Sequence, residues 1–135
     1  MARKTSYLLL MLIISGCGTS QINGPDKVID VSRIIIDKTG KQAGGDVEMI
    51  TRCSGFILSE KEVRNFLVHA THIRDNGPDK YYRILPCSST GTAVINKRKY
   101  NWVIRAGGVG ELISGEDKII AVCGKQCCEK VPGVC

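Results

Sequence analysis

The sequence predicts an α+β domain, an antiparallel β-sheet with one packed α-helix, braced by disulfides. Three observations lead there. One stretch repeats its apolar residues at helical spacing. The segments after it are short, rich in β-branched residues and punctuated by Gly, Asn and Ser. Seven cysteines crowd a chain of 135 residues. A single helix among several short strands is the pattern of a helix packed on one face of an antiparallel sheet.

The folded domain is expected over residues 28–135, a length that supports one core. Val28 to Asp37 is dense in β-branched residues and reads as a strand, and the Gly-rich polar stretch Lys38 to Asp46 reads as a loop. Val47 to Leu58 reads as a second strand, interrupted at Gly55. By the period of two, Val47, Met49, Thr51, Cys53 and Ile57 share one face and Glu48, Arg52 and Ser54 the other, which points Cys53 at the core. The helix follows. Ser59 with Glu62 forms a capping box, Val63, Phe66, Leu67, Ala70 and Ile73 recur at helical spacing, and Asp75-Asn76-Gly77-Pro78 stops the run.

Strands are then expected at Lys80 to Leu85, Thr92 to Asn96, Lys99 to Ala106, Glu111 to Ser114 and Lys118 to Cys123. The strand at Lys99 alternates, with Tyr100, Trp102, Ile104 and Ala106 on one face and Asn101 and Arg105 on the other. Trp102 therefore reads as core rather than as an exposed anchor. Ile119 to Val122 is apolar on both faces and reads as a central strand. Gly107-Gly108-Val109-Gly110 lacks the Lys-Ser/Thr of a phosphate loop and reads as a turn.

Ahead of the domain, Arg3 and Lys4 precede an apolar run from Tyr7 to Ile14 and the small residues Ser15 and Gly16, the layout of a signal peptide. The run is well short of the roughly 20 apolar residues that span a bilayer. Ile14-Ser15-Gly16-Cys17 resembles the lipobox of bacterial lipoproteins. The resemblance implies that residues 1–16 are a cleaved signal peptide, that Cys17 is lipidated and becomes the mature N-terminus, and that residues 17–27 are a flexible tether. Gly18 in place of Asp after the cysteine implies, within that family, an outer-membrane location facing the periplasm in a Gram-negative cell. The expected membrane contact is through the N-terminal lipid.

Of 19 basic residues, Arg3 and Lys4 would leave with the leader, so 17 would face 13 acidic ones. That surplus is too mild to suggest nucleic acid as a partner. Assigning Cys17 to lipid leaves Cys53, Cys87, Cys123, Cys127, Cys128 and Cys135, and an even remainder in an exported protein points to disulfides. Cys87 with Cys123 is the favoured pair, since each ends a predicted strand. Cys127 and Cys128 are expected to take separate partners, such as Cys53 and Cys135, because joining neighbours makes a strained ring. Cys123-x3-Cys127-Cys128 lacks the second knuckle of a zinc site, so no metal is expected.

No catalytic constellation and no cofactor motif is present. His69 and His72 are read as solvent-facing positions of the helix. Lys97, Arg98 and Lys99 form the densest basic cluster and are the candidate contact for an acidic partner. A solvated hairpin tip protecting an edge strand accounts for them as well. The segment from Cys87-Ser88-Ser89-Thr90-Gly91 through Tyr100-x-Trp102-x-Ile104 and Gly107-Gly108 to Cys123 is similar to uncharacterised small bacterial lipoproteins. By size and compartment the chain also resembles lysozyme inhibitors and immunity proteins. The expected function is a non-catalytic envelope binding module, an inhibitor or immunity protein against a secreted toxin or cell-wall hydrolase. The alternatives are a structural lipoprotein contacting peptidoglycan or outer-membrane proteins, and a thiol- or metal-dependent envelope protein using Cys and His.

Overall fold

A computed structural model describes residues 28–42, 52–74 and 85–135. The expected signal peptide, the lipobox with Cys17, the tether, and the strand positions 47–51 and 80–84 lie outside the described residues. Six strands form one antiparallel sheet: β1 (Val31–Gln42), β2 (Thr71–Arg74), β3 (Cys87–Ile95), β4 (Arg98–Arg105), β5 (Val109–Ser114) and β6 (Asp117–Val122). Their spatial order is β1-β3-β4-β5-β6-β2. Helix α1 (Glu60–His69) packs on one face, and a short α2 (Lys125–Lys130) follows β6.

The α+β class, the single sheet and the disulfide bracing are as the sequence reads. β3 to β6 form a meander because each link is a short turn. Asn96 and Lys97, at φ +48° and +69°, make the two-residue β3–β4 turn whose twist suits a hairpin. Cross-strand register puts Ala93, Tyr100, Trp102, Leu112, Ile119 and Ala121 on one face, and all are buried. α1 lies on this face. Gly110 lets it approach, since a Cβ there would sit 2.8 Å from Cε1 of Phe66.

β1 runs past the expected stop at Asp37, through residues read as a loop. Its register against β3 slips between Ser32 and Ile35, Ile36 and Lys38, and Lys38 and Lys41. Such bulges let a strand continue through Arg33 and Gly40 at positive φ while bending it. β3 likewise begins five residues before the expected Thr92, at Cys87.

The strand expected over Val47 to Leu58 is not formed in its described part. Residues 52–53 are helical, a turn follows, and Phe56 and Leu58 are buried while Ile57 is 65% exposed. The period of two misassigned Ile57, although Cys53 is fully buried as expected. The reason is local: Phe56 N bonds back to Cys53 O, and Phe56 O takes Gly40 N, so this backbone closes a turn against β1 rather than extending a ladder.

α1 begins where expected. Ser59 Oγ accepts from Glu62 N and the Glu62 carboxylate accepts from Ser59 N. It ends four residues before the expected Ile73, because Thr71–Arg74 pairs with Val122–Ile119 as an edge strand. The sheet's offer of four partners overrides helical spacing, as tertiary pairing commonly does. Arg64 Nη1, which donates to Val31 O, and α1's contact with β1 fix the helix across the sheet.

Candidate functional site

All six domain cysteines are paired: Cys53 with Cys87, Cys123 with Cys127, and Cys128 with Cys135, at Cα separations of 4.9, 5.0 and 5.7 Å. The favoured Cys87–Cys123 pair is therefore wrong. Cys87 is taken by Cys53 and is separated from Cys123 by β4 and β5, and Cys123 meets Cys127 once α2, absent from the sequence reading, turns the chain back. Cys127 and Cys128 do take separate partners, and Cys135 is one of them. Successive residues of a helical turn point in different directions, which separates their bonds.

The two C-terminal bridges gather sulfur. The Sγ atoms of Cys123, Cys128 and Cys135 all lie within 4.8 Å of one another. With each sulfur in a disulfide, the cluster has no thiolate to offer a metal. Its role is to hold the tail. Gly107 N and Gly108 N both donate to Val134 O, and Val131 and Val134 are buried.

The sheet leaves a cavity open at the end where α1 finishes. Its volume is about 460 Å³, within the usual range of ligand sites of about 300–1,000 Å³. Ile95, Tyr100, Leu112 and Ile119, from four successive strands, make its apolar walls, with Ala70 at the end of α1. Ile29 ahead of β1 and His72 and Arg74 on β2 also line it. These residues flank opposite edges of the sheet, so the sheet curls to bring them around one mouth.

The polar rim is Asn96, Arg98, His72 and Arg74. Asn96 is held in place, its Oδ1 accepting from Asp30 N at 3.0 Å. Arg98 is engaged: its guanidinium reaches Asp117 at 3.0 Å, donates to Ser114 Oγ and O, and lies 5.5 Å over the Tyr100 ring. The expected trio is thus split. Lys97 and Lys99 are exposed at the hairpin tip, whereas Arg98 turns to the cavity and is ion-paired.

His69 is exposed on α1 as expected. His72 is not on the helix; it lies half-buried on β2. Its Nε2 faces Leu67 O at 3.1 Å, and because a carbonyl only accepts, Nε2 carries the proton. Burial pushes the imidazole below its ordinary pKa, outweighing the opposing bond to Leu67 O, so it stays neutral near pH 7.

No protein family, characterised protein or solved structure matches the chain.

Arg74 and the mouth were invisible to sequence reading. Thr71-His72-Ile73-Arg74 has no apolar alternation to mark a strand, and the helical spacing of Ala70 and Ile73 carried the expected helix through it.

Proposed function

We propose that this protein is a non-catalytic binding module of the bacterial cell envelope, lipid-anchored through Cys17, which inhibits or neutralises a protein partner through the mouth of its sheet. The observation that carries the reading is the mouth itself: apolar walls from four strands beneath a cationic rim, in a domain stapled by three disulfides. Apolar walls with a few placed polar groups are how binding sites combine affinity and orientation. The disulfides suit an oxidising compartment and hold such a surface in shape without a large core.

A photo-crosslinking residue replacing Ile29, at the mouth, is compared with one replacing Lys38, exposed on the long edge strand. In cells, the Ile29 probe is expected to give a discrete adduct that the Lys38 probe lacks. Adducts from both positions, or from Lys38 alone, would remove the mouth from this role.

A further inference from the structure

We infer that the mouth recognises a peptide segment that presents a carboxylate beside an apolar side chain and an amide N–H, with Arg74 as the anion-binding residue. This deepens the proposed binding role and rests on it. The two rim arginines are not equivalent. Arg98 already has Asp117, both oxygens of Ser114 and the face of Tyr100. The guanidinium of Arg74, exposed and lining the same cavity, has no ion pair or hydrogen bond among the described residues. Among the described residues it is the rim cation without a bound anion, and its planar fork matches a carboxylate.

His72 defines the second feature. It is two residues before Arg74 on β2, so both side chains fall on the same face, and both line the cavity. With Nε2 donating to Leu67 O, Nδ1 is left as an acceptor. An acceptor beside a cation fits a group that offers an N–H next to a negative charge, as a peptide residue does. Ile95, Tyr100, Leu112 and Ile119 supply the third feature, a wall for an aliphatic side chain. An inorganic anion would leave that wall and the acceptor unused.

The shared chemistry has two sources, a chain terminus and an acidic side chain. The protein purified from membranes after expression of the full sequence is titrated in detergent micelles with N-acetyl-glycyl-leucine, its C-terminal amide, and N-acetyl-aspartyl-leucine amide, with binding read by calorimetry. One or both acids are expected to bind saturably, and the tighter identifies the source. The neutral amide should bind at least tenfold more weakly than the better acid. Arg74→Gln is expected to weaken the acids about tenfold, while Lys38→Gln, an equal change of charge away from the cavity, leaves them within twofold.

Failure of both acids to bind at millimolar concentration, equal binding of the neutral amide, or indifference to Arg74→Gln would each overturn the inference. The Ile29 crosslink separates the two levels. An adduct that persists unchanged in Arg74→Gln sinks the carboxylate anchor and leaves the binding module standing, whereas its absence from the wild-type protein sinks both.

Discussion

At the side-chain position of Gly91 there is room for a hydrogen atom and no more. A Cβ would lie 1.9 Å from the Ile35 carbonyl and 2.5 Å from Cζ2 of Trp102, which faces Gly91 across the β3–β4 ladder. Gly91→Ala must push β1 or the buried indole aside. We expect a loss of about 1–3 kcal/mol, typical of overpacking, seen as a lower urea midpoint. An unchanged midpoint would show that β1 does not need this close approach. His72 makes a second prediction. Its folded pKa is lowered, so the unfolded chain takes up the proton first. Its contribution to stability is complete above the unfolded value of about 6.5 and is lost as pH falls from there through the folded value. His72→Gln should flatten the slope of stability against pH in that window, measured by thermal melts from pH 7.5 to 5.

Among the elements, the β3–β4 hairpin carries a correctable strain. Lys97 sits at φ +69° in the second turn position, where Asn-Gly is the favoured pair and only glycine is free of Cβ strain. Lys97→Gly is expected to raise the melting temperature, by about 1 kcal/mol of stability, without altering the Arg98–Asp117 pair; a fall would locate a compensating contact at Lys97. The elements also divide by how far the sequence reveals them. α1's start was legible because the capping box lies within four residues, and β4 to β6 because alternation and turn chemistry are local. α1's end was not, since Thr71–Arg74 becomes strand only in the presence of β6. α2 had no apolar period to reveal it: of its residues only Cys127 is buried.

Across the whole molecule, the three bridges should contribute unequally. Cys53–Cys87 spans 34 residues, while the other two span 4 and 7. Chain entropy then assigns the long loop about 4 kcal/mol and each short loop about 2–2.5. Cys53→Ala with Cys87→Ala should cost more stability than Cys128→Ala with Cys135→Ala in matched denaturation curves, and the reverse order would place the stabilising work in the tail. The anchor is tested at the same scale. Cys17→Ser is expected to abolish metabolic labelling with palmitate and membrane retention while the domain still forms its three disulfides. Label retained on that variant would overturn the lipid attachment.

The fold class, the one amphipathic helix and its cap, the face carrying Tyr100, Trp102 and Ile104, and the bracing by cysteines followed from the sequence alone. Each rests on periodicity, a motif a few residues long, or composition, and these are properties of the chain before it folds. The disulfide partners, the handover from α1 to β2, the capture of Arg98 by Asp117 and the place of Arg74 at the mouth were decided only by the tertiary structure. Each depends on which distant residues the curled sheet brings together, and the number of possible pairings grows far faster than local chemistry can discriminate among them. The mouth is of that second kind: no segment contains it, because its walls come from four strands and its rim from the β3–β4 hairpin and the distant edge strand β2.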